Sequence, residues 1–310
     1  MIIDAHHHLW DPADRPYPWM DDSVAPIRRR FDVDDLRAVT RDTDVTRTIV
    51  VQAVHDPGET AWLLAQPEPV VGIVGWVDLT APDVADRLAA TRALPGGERL
   101  VGIRHQAQDE PDPGWLARPD VARGVRALAD AGLVFDLLVR EREHAAALAL
   151  VDAVPEAVFV LDHAGKPAIV RDRSGTRDGT ATDTDTDTER GDRRSTGPGD
   201  PAVADAWRAR MRGFAARPNV ACKVSGLLTE AGDDWRHRPV ARYAREVVEH
   251  FGPHRSLFGS DWPVSTLATD YAEVLTTTTA ALADLGDDER DAVFRGTADR
   301  VYLAAEHPQT

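Results

Sequence analysis

One cysteine in 310 residues, Cys222, leaves no intrachain disulfide and no thiolate metal cluster, and such a chain suits a reducing cytoplasm. Apolar runs are short. None approaches the roughly 20 residues that span a bilayer, and MIIDAHHH has no basic segment ahead of an apolar one, so a soluble cytoplasmic protein is expected. Positive charge is scarce, 36 Lys+Arg against 52 Asp+Glu, for a net charge of -16. That field disfavours nucleic acid and anionic membranes as partners and leaves a small, neutral molecule as the expected one; the residues leave the oligomeric state open. No G-x-G-x-x-G turn follows the first strand, which removes the main sign of a dinucleotide site in an open sheet.

What the chain does have is a repeat of strand and helix signals. Short β-rich runs fall at 2–9, 46–53, 70–77, 99–106, 133–139, 157–163, 219–226 and 256–263. Between them lie segments with Ala, Leu and Val at helical spacing, among them 32–42, 58–66, 82–94, 119–132, 141–154, 200–216 and 238–252. Several open on Asp or Pro, and ADAG and EHFG end on the glycine that suits a helix C-terminus. Eight strands alternating with helices predict an α/β fold, a single (β/α)8 barrel spanning 1–310. One stretch departs from the pattern. Residues 171–200 carry repeated Thr-Asp and no large apolar side chain, which predicts a mobile insert after the sixth strand.

In such a barrel the chemistry collects at the C-terminal strand ends. The triplet His6-His7-His8 ends the first run; a purification tag would be longer and not fused in register to Ile2-Ile3, though a non-functional cluster remains the bland alternative. Side chains alternate along a strand, so Asp4, His6 and His8 are expected on one face and His7 on the other, and His-x-His is a metal-ligand spacing. Further polar groups end other runs: Arg104 and His105, Asp162 and His163, Lys223 and Ser225, and Asp261. The fifth run, LVFDLLV, offers only Asp136.

Together, His6-x-His8, LDHAGKP, KVSGL and GSDWP resemble the amidohydrolase superfamily, whose barrel is a distorted (β/α)8. More closely they are similar to its sugar lactonase group, the fucono- and rhamnonolactonases, through HHHLWDP, PYPWM, GIRHQ and CKVSGLLTEA. The resemblance implies a hydrolase in which Asp261 is the general base, with His163, Arg104 and Lys223 as catalytic candidates for stabilising the oxyanion. It does not fix the metal. The missing fifth-strand histidine argues against a binuclear centre, while His6, His8 and Asp261 make a set of three that suits one divalent ion, Zn2+ best of all, held weakly and not strictly required.

Trp10, Trp235 and Trp262 follow strand-end motifs in a chain with 6% aromatics, and with His105 they are the candidates for substrate binding, since aromatic faces stack on sugar C–H surfaces. Packing residues at loop bases are the competing reading for each. The expected substrate is a sugar-acid lactone. A lactone from aromatic degradation, of the muconolactone or pyrone dicarboxylate type, is the alternative; a decarboxylase is more remote, and a non-catalytic binding barrel has no use for Asp261.

Overall fold

A computed structural model describes residues 1–172 and 201–304. Eight strands form one parallel sheet in sequence order: β1 (Ile2–His7), β2 (Val45–Val51), β3 (Val70–Gly75), β4 (Leu100–His105), β5 (Val134–Leu137), β6 (Phe159–Leu161), β7 (Val220–Val224) and β8 (Ser256–Phe258). The helices are α1 (Val33–Thr40), α2 (Pro57–Leu64), α3 (Val84–Arg92), α4 (Pro119–Asp130), α5 (His144–Ala153), α6 (Pro201–Ala215), α7 (Leu227–Ala231), α8 (Val240–Phe251), α9 (Tyr271–Ala281) and α10 (Asp287–Asp291). Local chemistry sets their starts: Asp32 and Asp35 form a capping box on α1, Asp56 caps α2 ahead of Pro57, and Pro119 opens α4. Helix α9 has no counterpart among the predicted helical segments, because Thr276 to Thr279 dilute its apolar face.

The sheet curls into a barrel whose last seam is distorted. Between β8 and β1 there is no ladder; the Asp261 N–H donates to the His6 carbonyl (2.8 Å), and the His8 N–H donates to the Trp262 carbonyl (2.7 Å). Inside, Ile3, Ile49, Val74, Val134, Val160 and Leu257 form an apolar layer, and Tyr302 from the C-terminal helical segment packs into it. Above that layer the axis turns polar. The described residues include no helix long and apolar enough to cross a membrane. The segment 171–200, expected to be a mobile insert, lies outside the described residues apart from Arg171 and Asp172.

Candidate active site

The histidines reach the barrel mouth through a bulge in β1. Its register steps from Asp4 opposite Thr48 to His7 opposite Val50, three residues against two. Ile3 and Ala5 therefore belong to the inner layer, and the phase then shifts so that His6 and His8 also face the axis. This corrects the expectation that Asp4 shares their face. Asp4 points outward, where its carboxylate accepts from the Ser260 N–H (2.9 Å), the Ser260 hydroxyl (2.6 Å) and the Tyr271 hydroxyl (2.9 Å). It thus pins the segment that carries Asp261. Gly259 in that segment lies against His6; a Cβ there would stand 2.7 Å from His6 Cβ, so only glycine fits.

His6, His8, His163 and Asp261 converge. Nε2 of His6 and Nε2 of His8 are 3.2 Å apart, and Oδ1 of Asp261 stands 3.8, 3.7 and 3.8 Å from Nε2 of His6, His8 and His163. Burial holds all three imidazoles neutral: His8 falls to about 3, His163 to about 4, and His6 well below its ordinary value. Burial raises the Asp261 carboxyl, with His163, Lys166 and Arg104 pulling the other way. His8 uses Nδ1–H to donate to the Val51 carbonyl (2.7 Å), which leaves a lone pair on Nε2 aimed at the cluster. Ligands at roughly 2.0–2.2 Å from a tetrahedral Zn2+ stand about 3.3–3.6 Å from one another, so the donor set of His6, His8 and Asp261 fits a divalent ion in identity, protonation state and spacing.

Beneath the cluster the axis holds paired charges. Arg104 reaches Asp162 (3.1 Å) and the Gln52 carbonyl; the Lys223 ammonium contacts Asp136 (2.5 Å), Asp162 (2.9 Å) and Nδ1 of His6 (3.1 Å). Tyr302 donates to the other oxygen of Asp136 (2.6 Å). Burial alone would raise both carboxyls. It carries Asp136 to about 6, whereas Lys223 foremost, with His6 and Arg104, holds Asp162 well below the usual carboxylate range. Lys223 is fully buried, lies outside the cavity lining and contacts Nδ1 of His6.

After β6 the chain makes a turn of the wrong hand. His163, Ala164, Gly165 and Lys166 all have positive φ, at 52, 52, 66 and 50°. Three of them are not glycine, and each left-handed L-residue costs roughly 1–2 kcal/mol. Such strain persists where surrounding structure holds it, and it commonly sits at functional sites. Here the turn aims both His163 and Lys166 into the cavity.

The cavity above the cluster is about 340 Å3, a size that suits a small molecule. Of the candidate residues, His8, Arg104, His163 and Asp261 line it. The predicted tryptophans do not. Trp10 is buried beneath His8, Trp262 packs on Phe31, and Trp235 donates to the Ala268 carbonyl (3.2 Å), all within the apolar core. His105 is stacked between His55 and Trp115, its nitrogens taken by Trp76 and Glu110, and the Gln106 N–H occupies Nε2 of His55, so both nitrogens of His105 and one of His55 in this second histidine cluster are already bonded. The aromatic wall is instead Trp19, held by its donation to the Ala53 carbonyl (2.7 Å). Gln106, Gln108, Asp109, Arg140, Lys166 and Glu230 complete much of the polar lining. Sequence patterning gives these loop residues no periodic signal. A larger groove of about 840 Å3 lies at the opposite end of the barrel, beside Met1 and α9, and contains no histidine.

The chain matches the amidohydrolase family over residues 3–303. It is 36% identical to an L-fucono-1,5-lactonase of Burkholderia multivorans, over 98% of this chain and 96% of that protein. Two crystal structures of an amidohydrolase from Burkholderia multivorans also match. One has bound HEPES (TM-score 0.82, 35% identity) and the other bound zinc (TM-score 0.81, 34% identity); each match covers 97% of this chain and 99% of the other.

Proposed function

Because the chain belongs to the amidohydrolase family, we propose that it is a carboxylic-ester hydrolase that opens a sugar-acid lactone, with Asp261 as the general base. The observation that carries this reading is one buried carboxylate facing three neutral imidazoles at the floor of a small polar cavity. The relative named an L-fucono-1,5-lactonase supports a lactone of the fucono or rhamnono kind.

The spacing of 3.7–3.8 Å from Asp261 Oδ1 to the imidazole nitrogens is too long for direct bonds and leaves room for a shared group such as water. Asp261 takes a proton from that water as it attacks the lactone carbonyl. Negative charge then grows on the carbonyl oxygen, where the Arg104 guanidinium and His163 are the stabilising groups. Collapse breaks the ring C–O bond, and the proton held by Asp261 passes to the departing ring oxygen, leaving a hydroxy acid. Lys223 acts from below by orienting His6. A single divalent ion, Zn2+ best of all, would be held by His6, His8 and Asp261 and would supply Lewis-acid polarisation and a more acidic water. We read it as weakly held and not strictly required.

The cavity walls differ in character in a way that fits a deoxy sugar. Trp19 and Val24, from the loop after β1, and Val264 and Leu267, from the loop after β8, give one side its apolar surface, which Asp21 and Ser23 of the first loop interrupt. Gln106, Gln108, Asp109 and Arg140, from the loops after β4 and β5, lie across the barrel and suit ring hydroxyls. A second reading, a lactone from aromatic degradation, draws on the exposed Arg140 and on Lys166, which pairs with Glu230 at 3.6 Å. The partner in either case is a small molecule, not nucleic acid or membrane, and the lone buried Cys222 suits the cytoplasm. A pH-indicator assay with L-fucono-, L-rhamnono-, D-arabinono- and L-galactonolactone, and with muconolactone, tests the reading. Hydrolysis of one or two sugar lactones supports it; silence on all four sugars with turnover of muconolactone moves the assignment to the second.

A further inference from the structure

We propose that Trp207 and His144 are positioning residues that clamp the left-handed turn at 163–166 from outside the barrel and thereby aim His163 and Lys166 into the cavity. Within the turn the Lys166 N–H donates to the His163 carbonyl (2.8 Å). Its next two carbonyls face the helical layer. Nε1 of Trp207, on α6, donates to the Ala164 carbonyl (2.8 Å), and Nε2 of His144, on α5, donates to the Gly165 carbonyl (2.9 Å). Both donors are buried, so water does not compete for these bonds. Both rings are themselves held, Trp207 against Tyr243 and His144 against Phe214.

The close approach is built into the backbone. A Cβ on residue 165 would stand 2.9 Å from Nε2 of His144, and one on residue 226, on the opposite side of the turn, 2.8 Å from Nδ1 of His163. Glycine at both positions lets the turn sit wedged between His144 and β7, with Nδ1 of His163 also 2.9 Å from the Ser225 hydroxyl. Without the clamp, Ala164 and Lys166 have a local preference for right-handed backbone, and relaxation at either one swings His163 away from Asp261.

The test combines hydrogen–deuterium exchange with kinetics on whichever lactone the wild type hydrolyses; the kinetic arm rests on the proposed function, the exchange arm does not. In Trp207→Phe the Lys166 amide is expected to exchange about tenfold faster, and kcat to fall roughly 10–100-fold with KM within about threefold. Adding Ala164→Gly, which accepts left-handed backbone without penalty, is expected to recover about tenfold of that loss. Lost packing alone would not be rescued this way. His144→Leu should act like Trp207→Phe, and His144→Gln, which keeps a donor, should lose less; this pair serves if Trp207→Phe does not fold. Exchange at Lys166 unchanged from wild type, or a kcat loss that Ala164→Gly leaves as it is, overturns the clamp. If the wild type hydrolyses no lactone, the proposed function fails and the exchange result alone decides.

Discussion

The Lys223 ammonium lies 3.1 Å from Nδ1 of His6, while Nε2 of the same ring lies 3.2 Å from Nε2 of His8. Oδ1 of Asp162 faces that Nδ1 at 3.3 Å and accepts its N–H, so this edge of the imidazole is fixed by a buried ion pair while Nε2 keeps its lone pair toward His8 and Asp261. Among the described residues Lys223 is also the only cation within ion-pair distance of Asp136, and taking one partner from such a buried set costs about 3–5 kcal/mol because the remaining charge is left uncompensated. Lys223→Met is expected to lower stability by about that much in urea unfolding. The double variant with Asp136→Asn, which removes the stranded carboxylate, should recover part of it. A single variant within about 1 kcal/mol of wild type would mean that the network is not electrostatically coupled.

Asp261 is the residue on which the hydrolase reading stands or falls. Its N–H holds the His6 carbonyl (2.8 Å), a backbone bond that Asp261→Asn preserves. General-base loss costs roughly 10²–10⁴ in rate, so kcat is expected to fall by that factor while affinity for the product sugar acid, measured by calorimetry, stays within about threefold. Undiminished turnover would assign the base elsewhere.

Much of this arrangement was legible in the sequence, and the parts that were not have identifiable causes. The strands, and polar groups gathered at their C-terminal ends, follow from β-branched runs that end in polar residues; choosing His6, His8, His163 and Asp261 among them rested on the resemblance to the amidohydrolases. The bulge in β1 did not follow, because alternation assumes an unbroken pleat, and it put Asp4 on the wrong face. The left-handed turn was hidden because only one of its four residues is glycine. Lys223 in VACKV and Asp136 in VFDL had a usable signal: a charge inside an apolar strand needs a buried partner, and each is the other's. The tryptophans misled because adjacency to a motif says nothing of which way a large ring turns, and Trp10 and Trp262 turn into the core.

His8 donates from Nδ1 to the Val51 carbonyl, and this fixes which nitrogen faces the cluster. His8→Ala and His6→Ala are each expected to reduce bound zinc well below that of the wild type, measured by elemental analysis after dialysis against dilute zinc. Chelator treatment of the wild type should lower its rate without abolishing it. Unchanged zinc content in both variants would place the ion outside this set.

Glu59 on α2 is buried, with Oε2 accepting from the N–H groups of Ala53 and Val54, and Ala53 in turn holds Trp19. Burial lifts its carboxyl from 4.5 to about 7, against the pull of those N–H groups. Between those values the folded chain binds more protons than the unfolded one, so this group's contribution is fully present below about pH 4.5 and is lost as pH rises through about 7. The loss is about 3 kcal/mol across the window. Glu59→Gln has no proton to lose, and urea unfolding at pH 5 and pH 8 should show a flatter dependence than the wild type. Equal slopes would mean that Glu59 ionises normally in the folded state.

Val264 and Leu267 line the side of the cavity across from Gln106 and Gln108, so a methyl-bearing lactone should set its methyl group against them. An apolar wall rejects an added hydroxyl weakly, by roughly 10²-fold at most, because the analogue can still enter and only forfeits favourable burial. The wild type is therefore expected to prefer L-fuconolactone over L-galactonolactone by no more than about a hundredfold in kcat/KM. Val264→Ser, which offers that hydroxyl a partner, should narrow the ratio by about tenfold, mainly through turnover of the galacto compound. Gln106→Leu works on the opposite wall, where a buried ring hydroxyl loses its partner, and should slow both lactones together. If Val264→Ser instead slows both equally and Gln106→Leu changes their ratio, the sugar lies in the cavity the other way round.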